Sequence, residues 1–145
     1  MNELRRLVRL GRVELALLVR AFVLLVHVRV ALWLLPWRRL VTMAQSRHGQ
    51  APPRFTVDRL AWAVRAASRA VPHATCLTQA LALSHLLRRE GHAATVQIGV
   101  SKKDGRFAAH AWVESNGVPL LSTISEVSRY SRFFTWPAPQ PDPVP

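Results

Sequence analysis

The sequence predicts an α+β domain in which several helices precede a small antiparallel sheet. Apolar residues recur with helical spacing up to about residue 90, and the pattern then changes to alternation with period two in the segments between residues 94 and 114. Glycine-containing turns separate the alternating segments, as in hairpins of antiparallel strands. The chain has 145 residues, half of them hydrophobic, which is enough for one domain with a substantial core.

Residues 1–50 form the first predicted region, which is helical. Its stretch 13–35 is long enough to span a bilayer, but Arg20, His27 and Arg29 interrupt it. A charge near the bilayer centre costs about 2.5–3.5 kcal/mol, and no uncharged run approaches the roughly 20 residues that a span needs. We therefore predict one or two helices that pack on the rest of the protein and meet a partner or a membrane surface.

The predicted core region, residues 51–135, begins with a helix after a connector at residues 44–55, which contains Gly49, Pro52 and Pro53. Thr56 is a suitable N-cap for this helix. The apolar positions that follow it have helical spacing: Val57, Leu60, Ala61, Val64 and Ala67.

Cys76 is the only cysteine of the chain, and it begins the next predicted helix. It follows Pro72 and Thr75, and the helical pattern continues to Arg89 before Gly91 stops it. The positive end of the helix dipole favours the thiolate form of a thiol at this position. A single cysteine excludes an internal disulfide, so nothing indicates an oxidising compartment.

Three strands and a tail complete the prediction. The second strand carries His110, Trp112 and Glu114 on one face, while the other face is predicted to be core and carries Phe107, Ala109, Ala111 and Val113. The predicted strands cover residues 94–100, 106–114 and 118–124, with turns at residues 102–105 and 115–117. Residues 136–145 are rich in proline, and we expect them to form a disordered tail.

A cysteine at a helix start and a histidine on a following strand are the two groups that a thiol hydrolase needs. A third group must hold the imidazole of His110. A two-residue loop after the second strand would place Thr123 opposite His110, and a three-residue loop would place Ser122 there. Asn116 and Glu126 are further candidates, so the sequence leaves the orienting residue open.

The net charge of +12 allows several kinds of partner. Nucleic acid is one, but neither aromatic–basic interleaving nor a helix-turn-helix pattern supports it. Anionic lipid and an acidic peptide or protein are the others. His73 and Cys76 have metal-ligand spacing, but no second ligand pair accompanies them, and we predict no metal site.

Three segments carry a resemblance to a known family. They read PHATCLTQA at residues 72–80, LLRREG at residues 86–91 and AHAWVE at residues 109–114. Together they resemble the leader peptidases of lasso-peptide biosynthesis, which are transglutaminase-like, papain-like cysteine proteases. The similarity covers most of residues 12–124, and the same fold superfamily hosts other chemistries.

The resemblance implies a function and a set of partners. The protein would remove the leader from a ribosomally made precursor peptide, and an ATP-dependent cyclase would then act on the freed core. A small leader-binding protein, a RiPP recognition element, would deliver the precursor. The resemblance implies a cytoplasmic enzyme without cofactors, with membrane contact through the N-terminal helices as an alternative. The family usually carries an aspartate about a dozen residues after the histidine, where this chain has Ser122.

We therefore expect Cys76 to be the nucleophile, His110 the general base and Ser122 the orienting residue. Gln79 and Trp112 are candidates for binding the oxyanion or the substrate. Three other interpretations stay open: a scaffold of the same fold with weakened catalysis, a basic module that binds a membrane or nucleic acid, and an enzyme that transfers the acyl group to an amine.

Overall fold

The computed structural model describes residues 11–36, 38–40 and 52–136. These residues form an α+β fold in which helices precede a four-stranded antiparallel sheet, which confirms the predicted fold class. The elements are α1 (Arg12–Leu34), α2 (Val57–Ser68), α3 (Cys76–Arg89), β1 (Thr95–Lys103), β2 (Arg106–Ser115), β3 (Val118–Leu120), α4 (Ile124–Val127) and β4 (Ser131–Trp136). The predicted tail after Trp136 and most of the connector lie outside the described residues.

Helix α1 is a single helix of 23 residues. It begins after Gly11, whose backbone N–H donates to the carboxylate of Glu14, and it ends before Pro36. Leu17, Ala21 and Leu25 recur every fourth residue and are buried, so one narrow stripe faces the core. By length and composition alone α1 could cross a membrane, although a core helix of a soluble protein or a signal sequence meets the same criteria.

Helix α2 begins where its cap predicts. The Thr56 side chain accepts a hydrogen bond from the backbone N–H of Arg59 over 3.4 Å. Four of the five predicted apolar positions are buried, namely Leu60, Ala61, Val64 and Ala67, while Val57 is partly buried. The helical spacing of the apolar residues thus correctly predicts the buried face of α2.

Helix α3 lies between the other two helices and the sheet. It contacts both α1 and α2, and it packs against β2 and, to a smaller extent, β1. Leu83 and Leu86 from α3 join Val96 and Val113 from the sheet in one hydrophobic core, and Leu17 of α1 belongs to the same cluster. The N-terminus of α3 is therefore fixed beside β2 by packing along the rest of the helix.

The strands lie in the order β3-β2-β1-β4. Asn116 and Gly117, with φ values of 50° and 78°, form the two-residue turn between β2 and β3. This turn pairs Ser115 with Val118, as the two-residue alternative predicts. The prediction that Thr123 then lies opposite His110 is wrong, because β3 ends at Leu120 and does not continue to residue 124.

Two features end β3 early. Leu121 has a φ of 66°, a left-handed conformation that leaves the extended path of a strand. Thr123 then caps α4 through a capping box: the Glu126 carboxylate accepts from the Thr123 backbone N–H over 2.8 Å, and the Thr123 hydroxyl accepts from the Glu126 backbone N–H over 3.2 Å. The predicted end of the third strand is therefore a turn and a short helix.

Strand β4 is not among the predicted strands, and the assignment of Trp136 to the tail is wrong. Trp136 is only 6% exposed and pairs with Val96 of β1. The guanidinium of Arg88 lies 4.6 Å from the centre of the Trp136 ring and also donates to the Ala94 carbonyl over 3.1 Å. Burial lowers the pKa of Arg88. This contact ties the C-terminal end of α3 to the edge of the sheet.

The predicted core face of β2 is correct only at its C-terminal end. Ala111 and Val113 are buried, but Phe107 is 78% exposed and Ala109 is exposed as well. The half of the β1–β2 hairpin nearest its turn is not covered by the described helices. Strand alternation predicts which side chains share a face, but it does not show how far the helical layer extends along the hairpin.

Candidate active site

The candidate nucleophile, Cys76, is the first residue of α3. Thr75 is the N-cap, and its side chain accepts from the Thr78 backbone N–H over 3.4 Å. The thiol is free and half-buried. The first N–H groups of a helix have no acceptor within the helix. The Cys76 side chain therefore lies where unpaired backbone donors and the positive end of the helix dipole act together.

Gln79 supports the segment that leads into the helix. Its side-chain amide nitrogen donates to the carbonyl oxygen of Ala74 over 3.0 Å, which bridges the loop before Cys76 and the first turn of α3. One amide hydrogen of Gln79 thus has a structural partner, and a second remains for another acceptor.

A cavity of about 190 Å³ brings all five predicted site residues together. Cys76 and Gln79 line it from α3, and His110 and Trp112 line it from β2. Ser122 completes the set from the segment after β3. A thiol, an imidazole and a hydroxyl that are 34 and 12 residues apart in sequence thus share one small volume.

His110 and Ser122 are hydrogen-bonded. His110 Nε2 and Ser122 Oγ are 2.9 Å apart. When the imidazole is protonated, Nε2–H donates to the hydroxyl oxygen, and Nδ1 is the nitrogen left for proton exchange with the thiol. Of the candidates for the orienting residue, Ser122 is therefore the one that the structure places on the imidazole.

The other candidates have different contacts. Thr123 and Glu126 cap α4, and Asn116 lies in the β2–β3 turn. Hydrogen bonds from the backbone and side chain of Thr123 lower the pKa of the Glu126 carboxyl, and the charge of His110 lowers it further. Glu126 is thus near enough to His110 to interact with it electrostatically, although Ser122 makes the direct contact.

Two aromatic rings adjoin the imidazole of His110. The ring of Trp112 is nearly parallel to it, with centroids 6.0 Å apart and 22° between the planes. The ring of Tyr130 is tilted by 35° at 5.3 Å. Sequence reasoning missed Tyr130, because it immediately precedes the unpredicted strand β4. Trp112 is only 2% exposed, so most of its surface packs inside the protein.

No three His, Cys, Asp or Glu side chains converge on a metal position within the described part of the chain. The cavity itself presents thiol, imidazole, hydroxyl and amide groups. Together they can form a thioester, move a proton and stabilise an oxyanion.

Comparison with known proteins gives one match. The model of the Transglutaminase-like superfamily matches residues 22–135, a range that extends from α1 to β4 and contains every residue of the cavity. No curated protein and no solved structure matches the chain.

Proposed function

The chain belongs to the transglutaminase-like superfamily, and on that premise we propose that it is a cysteine peptidase that removes the leader from a lasso-peptide precursor. The superfamily includes cysteine peptidases. The observation that carries the proposal is the shared cavity of Cys76 and His110, in which Ser122 is hydrogen-bonded to Nε2 of the imidazole. The substrate class rests on the resemblance of the segments around Cys76 and His110 to lasso-peptide leader peptidases.

The proposed reaction uses these groups in two stages. His110 Nδ1 takes the thiol proton, and the Cys76 sulfur attacks the carbonyl carbon of the scissile peptide bond. The oxyanion that forms accepts hydrogen bonds from the Cys76 backbone N–H and from Gln79. The imidazolium then protonates the leaving amine as the C–N bond breaks. Water attacks the thioester as His110 removes its proton, the C–S bond breaks, and the proton returns to the Cys76 sulfur while the leader leaves with a free carboxylate.

Ser122 distinguishes this site from that of the family it resembles. A hydroxyl can accept a hydrogen bond from the imidazole, but it supplies no negative charge. This difference favours a second candidate function, a scaffold that holds the precursor for the cyclase without cutting it. The two functions differ in the reactivity of Cys76, because a peptidase needs a nucleophilic thiol and a scaffold does not.

The experiment that tests the proposal is mass spectrometry of the precursor peptide after incubation with this protein and its leader-binding partner. We expect wild type to release the leader, and Cys76→Ala and His110→Ala to release none. Ser128→Ala is the control, because Ser128 is exposed and lies outside the cavity. Product mass separates hydrolysis from acyl transfer to an amine. If wild type binds the precursor complex without cutting it, the scaffold function replaces the peptidase.

A groove between α1 and α3 is the feature that favours a protein as the binding partner. Its volume is about 690 Å³, and it lies away from the cavity of Cys76. The ionisable residues that line it are all basic: Arg12, Arg20, His27, His85 and Arg89. Burial lowers the pKa of His85, and the nearby charges of Arg89 and Arg20 lower it further. A concave apolar surface with a positive rim suits an acidic amphipathic segment better than a flat bilayer.

We therefore assign the groove to the leader-binding protein of a cytoplasmic assembly that also includes the cyclase. Val23 lines the groove and Val30 lies on α1 outside it, and both are exposed. We expect Val23→Glu to weaken binding of the leader-binding protein in calorimetry, and Val30→Glu to leave it unchanged. If neither change affects that binding but both reduce binding to vesicles of anionic phospholipid, α1 binds a membrane surface instead.

A further inference from the structure

The imidazole of His110 lies beside two aromatic side chains, one from the sheet and one from the loop before β4. Trp112 follows it on the same face of β2, and Tyr130 immediately precedes β4. Both ring centroids lie within about 6 Å of the imidazole, the range in which an aromatic face stabilises a cation. We call Trp112 and Tyr130 the aromatic pair.

A glycine makes room for the aromatic pair. Gly99 lies opposite His110 in the β1–β2 register. A Cβ atom added at Gly99 would lie 2.7 Å from the Cβ of Tyr130 and 3.0 Å from two ring carbons of Trp112. Real Cβ atoms essentially never come as near as 2.7 Å to another heavy atom, so the backbone at Gly99 or Tyr130 would have to shift, and the Trp112 ring would be crowded as well. Gly99 is thus needed for close approach of side chains to the backbone.

A buried carboxylate fixes the ring of Trp112. Glu114 Oε1 accepts from Trp112 Nε1 over 3.0 Å and from Arg132 over 2.8 Å, and its other oxygen accepts from Gln97 over 3.4 Å. Arg132 lies in β4, two residues after Tyr130, so the same carboxylate connects β2, which carries Trp112, to the strand that Tyr130 precedes. A buried carboxylate with three donors holds its partners firmly, because leaving any of them unpaired would be costly.

We infer that Gly99, Tyr130 and Glu114 are positioning residues for His110. With Trp112 they hold the imidazole plane so that Nε2 faces Ser122 and Nδ1 remains available for the thiol. Rotation of the ring about its Cβ–Cγ bond would break the bond to Ser122, and the aromatic pair restricts that rotation. The π electrons of the aromatic pair also stabilise the positive charge of the imidazolium. This stabilisation partly replaces the negative charge that Ser122, as a hydroxyl, does not supply.

The kinetic test rests on the proposed peptidase function. Gly99, Tyr130 and Glu114 do not line the cavity, so replacing them should not change contacts with the substrate. Such substitutions should therefore lower kcat for leader cleavage and leave KM unchanged. We expect Tyr130→Ala to lower kcat by about 3- to 30-fold, the range of cation–π contributions. Tyr130→Phe keeps the ring and should match wild type. Phe133→Ala removes an exposed aromatic ring three residues away, in β4, and serves as the control.

A second readout does not require peptidase activity. In the proton NMR spectrum of the full chain, ring currents should displace the imidazole resonances of His110 in wild type and in Tyr130→Phe. Tyr130→Ala should return them toward the positions of an exposed histidine, while Phe133→Ala should not. Gly99→Ala should resemble Tyr130→Ala if the chain folds, as judged by its circular dichroism.

Two results would overturn the inference. One is a Tyr130→Ala variant whose His110 resonances and kcat equal those of Phe133→Ala. The other is a Tyr130→Phe variant as impaired as Tyr130→Ala, because the hydroxyl and not the ring would then be responsible. If wild type cleaves no precursor, the proposed function fails, and the NMR comparison still decides whether Tyr130 holds the imidazole.

Discussion

Replacement of Ser122 by alanine is the change that tests the catalytic arrangement most directly. It removes the Oγ atom that lies 2.9 Å from His110 Nε2 and leaves the backbone turn at Leu121 in place. During the reaction the imidazole carries a positive charge, so the lost hydrogen bond has a charged donor. Such bonds contribute about 1.5–3 kcal/mol.

This free energy converts directly into a rate. Because each 1.36 kcal/mol changes a rate tenfold, the loss corresponds to a decrease in kcat of about 10- to 100-fold. Ser122 is half-buried, so water can replace part of the lost bond in the variant. We therefore expect the lower end of the range, a decrease of about tenfold.

The assay is the steady-state rate of leader release, followed by mass spectrometry and accompanied by the alkylation rate of Cys76 with iodoacetamide. Ser122→Ala should lower both rates. Ser128→Ala should lower neither, because its exposed hydroxyl donates only to the Ser125 carbonyl. Ser122→Asp, which restores a carboxylate, should equal or exceed wild type. A folded Ser122→Ala variant that cleaves at the wild-type rate would refute the orienting role.

Three further predictions concern the elements that hold the site. Thr75→Ala removes the cap of α3 and should reduce the free energy of unfolding in urea by about 1 kcal/mol, whereas an unchanged value would show that the cap does not stabilise the helix. Hydrogen bonds from Thr123 lower the pKa of Glu126 in the folded chain, so its ionised carboxylate stabilises the fold. This stabilisation is complete above the pKa that Glu126 has in the unfolded chain, and it is lost as the pH falls through the lower pKa of the folded chain. Urea unfolding at pH 7 and pH 3 should therefore show a smaller loss of stability for Glu126→Gln than for wild type, and an equal loss would contradict the capping box. Trp136→Ala empties a buried site beside Arg88 and should destabilise the chain by about 3–5 kcal/mol, measured as a fall in thermal midpoint. A thermal midpoint equal to that of wild type would mean that β4 contributes nothing to the fold.

The fourth strand shows why part of the fold could not be predicted from the sequence. Strand β4 has no neighbour in sequence with which to form a hairpin. It pairs with β1, and Val96 and Trp136 are partners although 40 residues separate them. No local sequence pattern predicts such a pairing. Strand β4 is stabilised by β1 and by the buried Arg88, which lie beside it only in the folded protein. Tyr130, which precedes β4, was missed for the same reason.

The end of β3 is a different case, because its signal is local. Thr123 and Glu126 have the spacing of a capping box, which predicts a helix start at residue 124. The apolar residues between Val118 and Ile124 favour a strand through the same segment. The hydrogen bonds of the cap and the left-handed turn at Leu121 outweigh that preference.

The sequence by itself determined that helices precede the first three strands, that Cys76 lies at a helix start and which strand carries His110. These features depend on caps, turns and periodicity, which act over a few residues. The tertiary structure alone decided that Ser122 is the residue bonded to His110 and that Tyr130 lies beside the imidazole. Both contacts depend on where β3 ends and where β4 joins the sheet, and these follow from packing between residues that are distant in sequence.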